Sequence, residues 1–252
     1  MIDFTRIDNY RHPIIIAHRG AGHKKPRGQQ LTLRQLSKFN TENTTASFRT
    51  AIELGADAIE CDLRQTADQH IIIHHNKLLK GSRRPISELT LGQVKALAEK
   101  RGYLVPTLKE MLEFCQGKIA LDIEIKEKGF ENEAIDLIRQ YYSYDNFMIK
   151  SFLDNVVAEI KKSDSKIKTG LLFGLRWQGQ EKRALKRFHK IGADIFCPHW
   201  RLLTKSFMAR LQQEDIPVLT WTADREIIAR RLINRGVAGI ISNYPEKILR
   251  LL

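Results

Sequence analysis

Nine short apolar runs alternate with longer helical patterns along this chain, and that alternation constrains its fold more than any other feature. The runs are Ile14–Ala17, Asp57–Leu63, Ile71–His75, Ile119–Ile125, Phe147–Ser151, Lys168–Phe173, Asp194–Cys197, Pro217–Trp221 and Gly239–Ser242. Helical patterns fill the gaps, from Thr44–Leu54 to Pro245–Leu252. Strands separated by helices read as βαβ units, and βαβ units build a parallel sheet. Eight such units close a (β/α)₈ barrel of about 250 residues, and the chain has 252. One barrel domain over residues 1–252 is therefore expected.

The ninth run needs another explanation. Only seven residues separate Asp57–Leu63 from Ile71–His75, whereas a parallel crossover needs about a dozen. The third run should return antiparallel as a β-hairpin extension after the second strand. A two-residue turn at Asp68-Gln69 would pair residues whose numbers sum to 137 and set His75 opposite Asp62.

In a (β/α)₈ barrel the chemistry lies where strands end, at their C-terminal side. The first run ends in His18-Arg19-Gly20, the second carries Glu60 and Asp62, the return strand brings His75, and the fourth run carries Asp122, Glu124 and Lys126. Two residues apart on a strand, Glu60 and Asp62 share one face. Such carboxylates repel unless protons or a cation compensate, and with Glu124 they form an oxygen-rich site for a divalent cation, Mg²⁺ or Ca²⁺. His18 and His75 are the natural acid and base, because imidazole titrates near neutral pH. Arg19 and Lys126 supply fixed positive charge for phosphate oxygens. Plain pairing offers another role for these cations, Arg19 with Glu42 or Glu60 and Lys126 with Glu124. His12, His23, His70, His189 and His199 read as surface or loop residues, and His74, facing away from His75, as structural. Taken together, the set describes metal-assisted attack on a phosphodiester.

Several motifs, in a fixed order, resemble the glycerophosphodiester phosphodiesterases. They are His18-Arg19-Gly20, Glu42-Asn43-Thr44 with Ala46-Ser47-Phe48, the stretch Ala51 to Asp57, Glu60-Cys61-Asp62, Val105-Pro106-Thr107-Leu108, Ile123-Glu124-Ile125-Lys126, Ser151-Phe152, Trp221-Thr222 and Gly236 to Ile241. The resemblance implies a barrel that uses a divalent cation to hydrolyse glycerophosphodiesters to glycerol 3-phosphate and an alcohol. It implies His18 and His75 as the catalytic pair and Glu60, Asp62 and Glu124 as metal ligands. It also implies Arg19, Lys126, Glu42, Asn43 and Trp221 as substrate-binding residues. The short Lys77–Glu88 segment resembles the compact bacterial form. The sequence departs from the family's usual pattern at Thr41 for Pro, Asn76 for Asp, Asp224 for Asn, and Ser242-Asn243 for Thr-Asp. Asn76 can hold His75 only by hydrogen bonding, which lowers activity or shifts its pH optimum. The Ala21–Asn40 segment is expected to loop over the mouth and to influence which alcohol fits.

Composition adds limits. With 42 Lys and Arg against 29 Asp and Glu, the net charge is +13. Much of the excess lies on helical patterns such as Glu181–Lys190, where it decorates an outer face and would draw an anionic substrate or lipid surface closer. No stacking stripe or nucleic-acid motif accompanies it, so no nucleic-acid partner is expected. The nearest rival activity is lysophospholipase D, acting on lysophospholipids. Cys61, Cys115 and Cys197 form no ligand-spaced or redox pair, and the acidic N-terminus lacks a signal-peptide pattern, so a cytoplasmic location is expected.

Overall fold

A computed structural model describes residues 1–21 and 42–252. Of the expected mouth loop, 22–40 lies outside the described residues, as do His23 and Thr41. The strands are β1 (Ile14–Ala17), β2 (Ala58–Gln65), β3 (Ile71–Ile73), β4 (Ala120–Ile125), β5 (Phe147–Ser151), β6 (Lys168–Phe173), β7 (Ile195–Pro198), β8 (Leu219–Thr220) and β9 (Gly239–Ser242). The helices are α1 (Thr45–Glu53), α2 (Leu91–Glu99), α3 (Leu108–Cys115), α4 (Glu131–Arg139), α5 (Asp154–Ser163), α6 (Glu181–Ile191), α7 (Lys205–Gln213), α8 (Glu226–Ile233) and α9 (Pro245–Leu249).

Eight strands pair in parallel in the order β7-β6-β5-β4-β2-β1-β9-β8. The sheet nearly closes on itself, since parallel bridges Phe196↔Val218 and His199↔Trp221 join the β7 and β8 lines. This is a (β/α)₈ barrel, with β3 added antiparallel to β2. Helix starts follow local chemistry. Thr90 and Thr107 each cap their helix in a capping box with Gln93 and Glu110, and Pro245 opens α9.

The hairpin register differs from the expectation. Leu63 pairs with Ile73, Arg64 with Ile72 and Gln65 with Ile71, so partner numbers sum to 136. The connection is a three-residue loop, closed by Thr66 N donating to His70 O at 3.0 Å. Gln69 takes the left-handed conformation there, at φ 64°. His74, rather than His75, therefore donates its backbone N–H to Asp62 O, at 2.9 Å. The ladder ends at Ile73, so strict alternation no longer governs where the next two side chains point.

Inside the barrel, side chains stack in layers. Ile14, Ile16, Ala58, Ala120, Met148, Leu172, Ile195, Cys197, Leu219 and Ile241 form an apolar lower plug with Phe4 and Ile7 of the N-terminal segment. Period-two alternation carries the same inward face upward to Glu60 and Asp62 on β2, Asp122 and Glu124 on β4, and Lys150 on β5. The β2–β4 register sets Glu60 beside Asp122 and Asp62 beside Glu124. No helix of the described residues is long and apolar enough to cross a membrane.

Candidate active site

Four inward carboxylates in neighbouring columns would repel one another, and three cations offset them. Lys126 Nζ lies 2.6 Å from Glu124 Oε1 and 2.9 Å from Asp62 Oδ1. Lys150 Nζ lies 2.5 Å from Asp122 Oδ2 and 3.8 Å from Glu60 Oε1. Arg19 Nε is 3.3 Å from Asp62 Oδ2, and its Nη1 donates to Glu42 Oε1 at 2.7 Å. The pairings that the sequence offered as alternatives for Arg19 and Lys126 are thus present. Lys126 and Arg19 hold the Asp62 carboxyl well below its ordinary range despite its burial. Burial pushes the Glu124 and Asp122 carboxyls the other way, against the attraction of Lys126 and Lys150 respectively.

One oxygen from each of Glu60, Asp62 and Glu124 lies within 4.8 Å of the others, and all three residues are buried. Asp62 Oδ1 has the Lys126 ammonium 2.9 Å away and, among the described residues, no other polar partner. A converging set of hard oxygen donors with spare accepting capacity suits a small divalent cation.

The backbone around Arg19 is bent to serve this cluster. Arg19 has φ 55°, uncommon for a side-chain-bearing residue. Its N–H donates to Glu60 Oε2 at 2.8 Å. Gly20, at φ 74°, packs so closely on α1 that an added Cβ would stand 2.5 Å from Ser47 Oγ. Asn43 is also left-handed, at φ 63°. Its side chain donates to Asp62 Oδ2 at 2.8 Å, while its N–H donates to Arg19 O at 2.8 Å.

His18 and His75 both line a cavity of about 100 Å³ with Glu60, Glu124, Lys126 and Trp221. His18 Nε2 is 3.9 Å from Glu60 Oε2, and its Nδ1 meets Asn243 Oδ1 at 2.9 Å. His75 Nδ1 meets Asn76 Oδ1 at 3.0 Å, and Arg64 donates twice to His75 O, at 3.1 and 2.9 Å. Burial, with help from Lys126 and Arg19, lowers the His75 imidazole below its ordinary pKa. His74 turns its Nδ1 to Asn76 O at 2.9 Å instead. Glu42 and Asn43 border an adjoining hollow of about 210 Å³ with His75 and Tyr103. A roomier hollow of about 420 Å³ at the opposite end contains Arg11 and His12 but none of the inward carboxylates.

Every candidate residue from the sequence converges on this mouth. Sequence reasoning missed Lys150, 1 % exposed, whose signal was a lysine inside the apolar run Phe147–Ser151. Gly170 on β6 faces Lys150 in the ladder, and a Cβ there would lie 3.0 Å from Lys150 Cβ. A Cβ there would also stand 2.7 Å from Cys197 Sγ and 2.8 Å from Met148 Cε, so the missing side chain leaves room for all three. The departures at Asp224 and at Ser242-Asn243 also prove to be neighbours. Asn243 donates to Asp224 through both Nδ2 and its backbone N–H.

Residues 18–247 match the glycerophosphoryl diester phosphodiesterase family. The chain belongs to that family. A glycerophosphodiester phosphodiesterase of Caldanaerobacter subterraneus subsp. tengcongensis is 29 % identical over 254 residues, covering 94 % of this chain and 97 % of that one. Lysophospholipase D GDPD1 of Mus musculus is 22 % identical, covering 83 % of this chain and 81 % of its own length. Among solved structures, an Oleispira antarctica phosphodiesterase in complex with its product sn-glycerol-3-phosphate superposes with TM-score 0.76. It is 22 % identical, and the match covers 96 % of this chain and 98 % of that one. A phosphodiesterase-family structure from Silicibacter pomeroyi gives TM-score 0.79 at 22 % identity, over 96 % of this chain and 94 % of that one. These structures share the barrel, and the family match supplies the rest.

Proposed function

We propose that this chain hydrolyses glycerophosphodiesters to an alcohol and glycerol 3-phosphate, with a divalent cation held by Glu60, Asp62 and Glu124. The observation that carries the reading is the three-carboxylate cluster, oxygens within 4.8 Å, two of whose members, Glu60 and Glu124, line one cavity with both imidazoles. What a bound cation supplies there is neutralisation of charge on a non-bridging phosphate oxygen. Lys126 and Arg19 stand beside the same carboxylates, which supports their reading as contacts for the remaining phosphate oxygens. One imidazole takes the proton of the nucleophile, water or the substrate's own glycerol hydroxyl, and the other delivers a proton to the leaving alcohol oxygen. Where the glycerol hydroxyl attacks, a cyclic phosphate forms first and water then opens it to glycerol 3-phosphate, with the two imidazoles exchanging roles. General acid–base help of this kind contributes roughly 10²–10⁴-fold per group. Trp221 and Phe152, edge to face with centroids 5.5 Å apart, give the cavity an apolar wall.

Glycerol 3-phosphate release from glycerophosphocholine and other head groups, with Mg²⁺ or Ca²⁺ added, tests the reading. Release that EDTA abolishes and the cation restores is the expected result, and full activity in EDTA would sink the cation's role.

A second reading, lysophospholipase D, is favoured by one observation. Leu104, Leu153 and Leu175 stand 75 %, 36 % and 45 % exposed on loops at the mouth, where an acyl chain or lipid surface could meet them. Lysophosphatidylcholine preferred over glycerophosphocholine, with activity that needs micelles, would select that reading.

A further inference from the structure

Three adjacent strand ends meet at His18, and the hydrogen bonds among them run in one direction. The carboxylate of Asp224, just beyond β8, can only accept. It accepts from Asn243 Nδ2 at 2.7 Å, from Asn243 N at 2.8 Å and from Ser242 Oγ at 3.2 Å. With its Nδ2 committed to Asp224, the Asn243 amide must turn its oxygen outward, and that oxygen meets His18 Nδ1 at 2.9 Å. An amide oxygen cannot donate, so His18 Nδ1 must carry the hydrogen and Nε2 must present its lone pair. Nε2 is the atom on the site's side, 3.9 Å from Glu60 Oε2.

The neighbouring carboxylate makes this device necessary. Left alone, Glu60 would favour the other tautomer, with the hydrogen on Nε2 pointing at its own oxygen, and Nε2 could then accept nothing. We propose that Asn243 and Asp224 are positioning residues that fix the tautomer of His18, with Asp224 acting at one remove by fixing which end of the Asn243 amide faces the ring. Neither residue lines the cavity beside the carboxylates, so both act through the imidazole. The proposal rests on the reading of His18 as a proton carrier.

Long-range ¹H–¹⁵N correlation spectra of histidine-labelled protein, without substrate or cation and at a pH where the ring is neutral, read the tautomer directly. Wild-type protein should show His18 with hydrogen on Nδ1. Asp224→Asn frees the amide to flip, so the population should move toward Nε2–H. In turnover, kcat should fall on the order of 10²-fold with KM changed less than about 3-fold. The double exchange Asp224→Asn with Asn243→Asp rebuilds the chain, because the new amide at 224 donates to the new carboxylate at 243, which accepts from Nδ1. It should restore the Nδ1–H tautomer and bring kcat to within about 10-fold of wild type. A merely structural role for the pair would also be rescued in turnover, but it would leave the His18 tautomer unmoved in Asp224→Asn.

Hydrogen on Nε2 in the wild-type spectrum overturns the proposal whether or not any variant folds. So does a folded Asp224→Asn protein whose His18 signals are unchanged. A tautomer that shifts while kcat does not leaves the positioning chain standing and overturns the proton-carrier reading instead.

Discussion

The imidazoles of His18 and His75 reach one cavity from two flanks that are built differently. On the β1 flank, Arg19 and Gly20 sit in left-handed conformations, α1 presses against Gly20, and the ring is tied through Asn243 to Asp224. On the hairpin flank, Arg64 fixes the main chain of His75, but the ring has one side-chain partner, the exposed amide of Asn76. One flank is tied beyond its own residue to a second strand end, whereas the other is anchored at its backbone and by one exposed amide. On the proposed reading the two rings share proton transfer with a substrate, and the contrast then says which of them sets the reference and which adjusts.

Removing either ring is the bluntest way to break the comparison. His18→Ala and His75→Ala should each lower turnover of glycerophosphocholine by roughly 10²–10⁴-fold while calorimetry still detects cation binding. If one of them kept wild-type turnover, the pair would not share the work. Gly20→Ala probes the rigid flank, since its Cβ would stand 2.5 Å from Ser47 Oγ and 2.7 Å from Ser47 C. Denaturant unfolding should report a loss of about 1–3 kcal/mol. No loss would mean that the flank yields. For the adjustable flank, Asn76→Ala should cost kcat about 10-fold, and Asn76→Asp should recover it, because a carboxylate also accepts from Nδ1–H. A larger cost than that of Asp224→Asn would invert the comparison.

The smallest effect concerns the ground between the flanks. Burial raises the pKa of Glu124, so its protonated form persists toward neutral pH and competes with a cation. Affinity should therefore rise with pH and weaken from about pH 8 to about pH 6. Titration calorimetry in buffers of different ionisation enthalpy would detect the released proton. Affinity that is flat across that range would place Glu124 outside the ligand set.

Much of this was legible because period two is a strong rule. All nine strand runs are strands, and Glu60, Asp62 and Glu124 share the inward face that their spacing implies. The hairpin turn was not legible. Thr66-Ala67-Asp68-Gln69-His70 carries no glycine to mark its left-handed position, so a two-residue turn reads equally well until the chain is folded. The resulting one-residue slip would ordinarily move His75 to the wrong face. It does not, because the ladder stops at Ile73 and Asn76 takes the ring. Lys150, and the pairing of the two departures Asp224 and Asn243, were not legible for a different reason. Each has meaning only through a partner from a distant strand, Asp122 and Gly170 for the first and His18 for the second.

The seam between β7 and β8 is joined differently from the rest of the barrel wall. Where other neighbours share continuous ladders, this pair shares two isolated bridges, Phe196↔Val218 and His199↔Trp221, stitched by the Trp221 indole donating to Cys197 O at 3.0 Å. Breathing of the wall should concentrate there. Amide hydrogens of Phe196 and Trp221 would then exchange with solvent ahead of those in β2 and β4, and each opening would lift the Trp221 side of the rim while the carboxylates stayed still.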